Sequence, residues 1–130
     1  MNGTAVDPMT GAGQDRRAVG AAGEEATLRR YLDQDYELVA RNWRCPIGEI
    51  DLVLSRSGLL VFCEVKTRLG ARFGGGYEAV TWRKQRKLRQ LAEVFLLTRR
   101  IDPSRIRFDV ASVIAGPGRA VSVEIFEDAF

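Results

Sequence analysis

Histidine is missing altogether from these 130 residues, which removes the commonest zinc ligand and the commonest general base at neutral pH. Any catalysis must then rely on carboxylates, lysine or a hard metal ion. Cysteine is scarce. Cys45 and Cys63 are the whole supply, they lack metal-ligand spacing, and they read as reduced thiols of a cytoplasmic protein rather than as a disulfide. No apolar run approaches the roughly 20 residues of a membrane helix, and no signal-peptide pattern opens the chain, so no membrane is expected as a partner. Repeats and linkers are lacking too. One domain over 16–130 is predicted, behind a disordered tail, 1–15, that has no apolar period. A 45% hydrophobic share at this length suffices for a core without covalent staples.

What is present is unevenly placed. The net charge is only +3, yet residues 66–107 hold twelve Lys or Arg against Glu78, Glu93 and Asp102, and the remainder is acidic. Charge segregated in this way points to a polyanionic partner.

The most informative stretch is 48–66, GEIDLVLSRSGLLVFCEVK. Two apolar runs, 50–54 and 59–63, flank Arg56-Ser57-Gly58, the pattern of a β-hairpin. Alternation puts Glu49 and Asp51 on one side and Glu64 and Lys66 on one side. The hairpin therefore gathers two or three carboxylates and an ammonium on one patch. Charges among Val, Leu and Phe are costly unless they are paired or hold a metal. Asp51, then Glu64-Val65-Lys66, fits the D-x(n)-E-x-K arrangement of metal-dependent nucleases. Mg²⁺ is usually held by one or two carboxylates and the substrate's phosphate. Asp51 and Glu64 suit that task, and Lys66 suits orienting or helping to deprotonate a water beside the phosphate. A carboxylate–lysine bridge that only neutralises itself is the simpler alternative. Glu49 is either a further ligand or a solvated strand start, and Asp109 reads as structural, paired with a nearby arginine.

Around the hairpin, 17–33 has helical spacing, with Leu28, Tyr31 and Leu32 on one face and Glu25 reaching it from seven residues before Leu32. Residues 36–44 alternate as a strand that Pro46 ends. A glycine-rich loop with Arg68 and Arg72 follows the hairpin over 68–77, the composition of a segment that closes over ligands. Thr81 can cap a helix to about 99, with Leu88, Leu91, Ala92 and Phe95 inward. Its outward face carries Arg83, Lys84, Arg86, Lys87 and Arg89. Cations near a helix N-terminus oppose its dipole, which favours a phosphate-binding role over a merely solvated face. Strands at 105–114 and 120–126 complete an α/β chain.

Several of these segments occur in an order and spacing that resembles the YraN family, small bacterial proteins similar to restriction endonucleases. They are Asn42-Trp43-Arg44, Gly48-Glu49-Ile50-Asp51, Val61-Phe62-Cys63-Glu64-Val65-Lys66-Thr67-Arg68, Phe73-Gly74, Glu78-Ala79-Val80 and Lys84-Gln85. The resemblance spans about 20–126. It implies a restriction-endonuclease-like αβββαβ core of the PD-(D/E)xK superfamily, a mixed central sheet flanked by helices. It also implies Asp51, Glu64 and Lys66 as the metal-binding and catalytic set. A first-helix glutamate often joins that set, and Glu25 matches its place by distance to Tyr31 and Leu32. In the family this glutamate directly follows a glycine, whereas here Gly23 precedes Glu24, so both glutamates stay candidates. Lys84 and Gln85 match second-helix positions that in related nucleases face the site or the nucleic acid.

The expectation is a Mg²⁺- or Mn²⁺-dependent nuclease, with DNA favoured over RNA and linear, branched and single-stranded substrates all open. Asp51, Glu64 and Glu25 are its expected metal ligands. Arg68, Arg72, Arg83, Lys84, Gln85 and Lys87 are its expected nucleic-acid contacts. The alternative is a non-catalytic nucleic-acid-binding module of the same fold. The basic surface is short for a long duplex, which leaves a homodimer open.

Overall fold

Ser57 and Gly58 both take positive φ, 50° and 83°, the two-residue turn whose twist matches that of paired strands. It joins β2 (Gly48–Arg56) to β3 (Leu59–Leu69), confirming the hairpin. The computed structural model describes residues 8–70, 80–116 and 119–130. In chain order it contains α1 (Pro8–Leu32), β1 (Glu37–Cys45), β2, β3, α2 (Trp82–Arg99), β4 (Arg105–Gly116) and β5 (Arg119–Phe126). The expected αβββαβ core is present, with one further strand.

The five strands lie side by side in sequence order, all antiparallel except β3 beside β4. Parallel neighbours need a crossover, and α2 supplies it. The two helices cover opposite faces. Leu28 and Tyr31 of α1 pack with Leu52, Leu54, Leu59, Val61 and Cys63, while Leu88, Leu91, Ala92 and Phe95 of α2 pack with Ile50, Val53, Leu60 and Phe62. The inward stripe of α2 is the expected one, and Thr81 accepts a hydrogen bond from Lys84 N at 3.2 Å as its N-cap. Both cysteines are free, and they serve opposite cores.

Three expectations need correction. Helix α1 begins at Pro8, not near residue 17. Proline is pre-organised for a first helical turn, and those turns lack the apolar stripe that would reveal them in sequence. Arg68 and Leu69 belong to β3, in register with Ile114 and Ala115, rather than to the glycine-rich loop. Leu32 is 46% exposed, so the buried stripe of α1 sits one residue earlier than expected. Residues 1–7 and 71–79, with Arg72 among them, lie outside the described residues. No helix among the described residues is long and apolar enough to cross a membrane.

Candidate metal and phosphate site

The hairpin ladder runs from Arg56↔Leu59 to Leu52↔Cys63 and stops there. Beyond it β2 stays with β1, through Trp43↔Ile50 and Arg44↔Glu49, while β3 stays with β4, through Glu64↔Val110 and Lys66↔Ser112. The two strands therefore fork at Asp51 and Glu64. Val65 N donates to Asp51 Oδ2 at 2.8 Å, a side chain taking the place of a backbone rung.

Regular alternation also breaks at this point. Ile50 packs on the α2 side and Leu52 on the α1 side, although they are two residues apart. Asn42, across from the break on β1, has φ 53°. The result still agrees with the expected gathering of acids. Glu49, Asp51 and Glu64 line one cavity of about 420 Å³, whose opposite wall is Arg83, Lys84 and Lys87 from the first turns of α2.

Burial and the neighbouring Glu64 carboxylate push Asp51 up to about 7, with smaller contributions from Glu24 and Glu49, against the lowering effect of the Val65 N–H. Glu64 is only 9% exposed, and Lys84 Nζ stands 3.1 Å from its Oε2. Lys87 Nζ donates to Ile47 O at 3.0 Å, and Arg44 pairs with Glu49 at 3.4 Å at the rim.

Other expected residues divide. Gln85 does not face the carboxylates, because its amide donates to Val80 O at 2.9 Å beneath the helix start. Lys66 is half-buried on β3, two residues beyond Glu64. It forms no ion pair among the described residues and is not part of the cavity wall. Arg68 is half-buried one strand position further from Glu64 than Thr67.

On α1 Arg41 pairs with both glutamates, with Glu24 at 3.6 Å and Glu25 at 2.8 Å, and the two differ in burial, Glu25 being the more exposed. Glu25 also pairs with Arg29 at 3.4 Å, and these arginines lower its pKa. Glu24 lies three, four and seven residues before Thr27, Leu28 and Tyr31, all buried, so it shares their stripe. It is the α1 carboxylate whose charge acts on Asp51, and with Val65 and Thr67 it lines a second hollow of about 340 Å³ on the α1 side of β3. Glycine one residue earlier makes this possible. A Cβ on Gly23 would collide with Thr67 Oγ1, so only glycine lets the helix lie this close.

Asp109 is the contrast. It is fully buried and accepts from Tyr31 Oη at 2.7 Å, from Arg107 through Nε at 2.8 Å and Nη2 at 2.9 Å, and from Asp128 N at 3.0 Å. The expected arginine partner is there, and nothing is left over for a ligand.

Among the described residues no group of three or more Cys, Asp or Glu side chains is arranged to hold a metal ion. The three-carboxylate set of Glu25, Asp51 and Glu64 is therefore not assembled. Asp51 and Glu64 do line one cavity, and the Glu64 carboxylate disfavours charge on Asp51. As hard oxygen donors these two could hold Mg²⁺ or Mn²⁺, which usually takes one or two carboxylates with water and phosphate as the remaining ligands.

Comparison with known proteins gives one consistent result. The family model described as "Uncharacterised protein family UPF0102" matches residues 23–113. A UPF0102 protein of Nocardia farcinica is 42% identical over 116 residues, covering 89% of this chain and 91% of its own. One from Symbiobacterium thermophilum is 44% identical over 114 residues, covering 88% and 97%. One from Frankia alni is 46% identical over 113 residues, covering 87% and 94%.

Proposed function

The chain belongs to the UPF0102 (YraN) family, and from the forked site we propose that it is a metal-dependent nuclease that hydrolyses phosphodiester bonds, with DNA favoured. One observation carries this reading. Buried acids that repel one another face a wall of three cations across a cavity of about 420 Å³. Asp51 and Glu64 would hold a divalent cation that offsets this repulsion, and Arg83, Lys84 and Lys87 would offset the charge of a phosphate.

In this scheme Asp51 and Glu64 hold Mg²⁺ or Mn²⁺, and the Val65 N–H fixes the Asp51 carboxylate. When bound, the cation supplies charge stabilisation at the phosphate and activation of the attacking water. Lys66, two residues along β3 from Glu64, would have to reach the cavity from outside its present wall to orient the attacking water and offset charge on the phosphoryl oxygens. The water oxygen bonds to phosphorus as the phosphorus–oxygen bond to the departing strand breaks. The water's proton leaves to solvent and the departing oxygen takes one up. Arg83 and Lys87 hold the backbone, and Lys84, released from Glu64, joins them. Arg68, on β3, is a further proposed backbone contact. Glu24, rather than Glu25, is the α1 carboxylate suited to support the metal.

A second reading has its own observation. The Lys84–Glu64 pair at 3.1 Å already neutralises one carboxylate, as in a nucleic-acid-binding module without turnover. The deciding experiment incubates the protein with Mn²⁺, and separately Mg²⁺, on labelled linear, flapped and four-way-junction DNAs and on RNA, beside Glu64→Ala. Cleavage by the wild type and not by the variant is expected. Binding without cleavage, together with no Mn²⁺ binding by calorimetry, overturns the enzyme and leaves the module.

A further inference from the structure

Helix α2 carries a second row of side chains that the cleavage scheme does not use. Arg83 and Lys87, four residues apart, face the carboxylate cavity. One residue earlier on the helix, Trp82, Arg86 and Gln90 form a parallel row at the same spacing. Together these five side chains line a separate hollow of about 370 Å³ that contains no acid. Trp82 is 70% exposed, the larger of the two tryptophans' exposures by far, and its ring meets no aromatic or cationic partner among the described residues. Trp43 is instead half-buried and packs edge-on against Phe95 at 5.1 Å.

Single exposed apolar side chains are ordinary. A wide indole set among three cations and an amide, and sharing two of those cations with the carboxylate cavity, has a chemistry of its own. The cations track a phosphate backbone, the indole face takes a nucleobase, and the amide of Gln90 can donate to and accept from a base edge. Bases inside a duplex offer no free face for such stacking. We propose that this hollow binds an unpaired nucleotide of single-stranded nucleic acid, adjoining the scissile phosphate, with Trp82 as the stacking platform. The protein's substrate class is then a strand that is single at this position, whether a free strand or the unpaired part of a branched one. This rests on the nucleic-acid reading above and narrows it.

The test measures binding in EDTA, so that no strand is cut. Fluorescence anisotropy compares a labelled oligothymidylate, an abasic strand of the same length and a duplex, each with the wild type, Trp82→Ala and Trp82→Phe. The wild type is expected to prefer oligothymidylate to the abasic strand, and Trp82→Ala to lose about tenfold in affinity for oligothymidylate alone. Trp82→Phe should keep most of the preference. Oligothymidylate should quench the wild type's tryptophan emission and leave that of Trp82→Phe, which retains Trp43, nearly unchanged. Equal binding of oligothymidylate by wild type and Trp82→Ala overturns the platform while nucleic-acid binding stands. An equal loss on all three ligands overturns it as well, since a general surface contact would do that. Absence of binding by the wild type to any of the three strands removes the nucleic-acid reading itself.

Discussion

Asp51 and Asp109 stand on neighbouring parts of one sheet, and their surroundings are opposites. Asp109 is wrapped by a phenol, a bidentate guanidinium and a backbone N–H, so its buried charge is met on all sides. Asp51 has one backbone N–H and, around it, Glu64, Glu24 and Glu49. A buried carboxylate with full protein partners contributes to structure. One that is left facing other carboxylates suits the metal-binding role proposed for it.

Removing each carboxylate should separate the two kinds of site, and this is the largest expected effect. Asp109→Ala strands Arg107 and Tyr31 without their acceptor and should cost about 3–5 kcal/mol of stability, read by denaturant unfolding. Asp51→Asn should abolish Mn²⁺ binding and cleavage and leave the fold intact. Its effect on stability depends on pH. The folded protein holds the Asp51 proton up to about 7, against 3.8 for the ordinary group. The folded state thus binds more protons than the unfolded state between those values, and wild-type stability falls as pH rises through 7. That stability component is complete below about 3.8. Asp51→Asn removes the slope and should be more stable than wild type above pH 7, by on the order of 3 kcal/mol. An Asp109 variant of unchanged stability, or an Asp51 variant that unfolds, reverses the comparison.

The cation that stands in the site now offers a smaller test. Lys84 neutralises Glu64, so it competes with a metal for that carboxylate. The lysine is half exposed, and a pair of that kind is worth about 1 kcal/mol at most. Lys84→Met should therefore tighten Mn²⁺ binding by calorimetry about fivefold in the absence of nucleic acid, while weakening DNA binding when metal is present. Lys87→Met is the control, because Lys87 is bonded to the Ile47 carbonyl and not to a carboxylate. Equal gains in both variants would mean that general charge, not the 3.1 Å pair, sets metal affinity.

Much of this was legible in the chain. The hairpin announced itself through two apolar runs around Ser57-Gly58, and α2 through Thr81 and the spacing of Leu88, Leu91, Ala92 and Phe95, because periodicity and turn chemistry are local. The Asp51–Glu64 juxtaposition followed from the hairpin alone. What stayed hidden was non-local or came from residues that carry no hydrophobic signal. The fork beyond Leu52↔Cys63 depends on partners that β1 and β4 offer. The Lys84–Glu64 pair joins two elements through the tertiary fold. The start of α1 at Pro8 has no amphipathic trace.

The α1 glutamates show how the face suggested by leucine spacing and the packed face can differ by one residue. Counting Leu28, Tyr31 and Leu32 as the inner face selects Glu25, since hydrophobicity was the guide. The face is in fact built on Gly23, Thr27, Leu28 and Tyr31. Thr27 is buried because its hydroxyl donates to Gly23 O at 2.8 Å, and Gly23 is buried because it has no side chain to keep it off Thr67. Neither is read as apolar, so the stripe turns by one residue and Glu24 takes the inner place. Glu25→Gln removes an exposed pairing with Arg29 and Arg41 and should leave melting temperature, Mn²⁺ affinity and cleavage unchanged. Glu24→Gln removes a charge that acts on Asp51 and should lower the pH at which Asp51 ionises, seen as a downward shift in the midpoint of stability against pH, and weaken Mn²⁺ binding modestly. If Glu25→Gln gives that signature and Glu24→Gln does not, the inner face of α1 is the one that leucine spacing suggests.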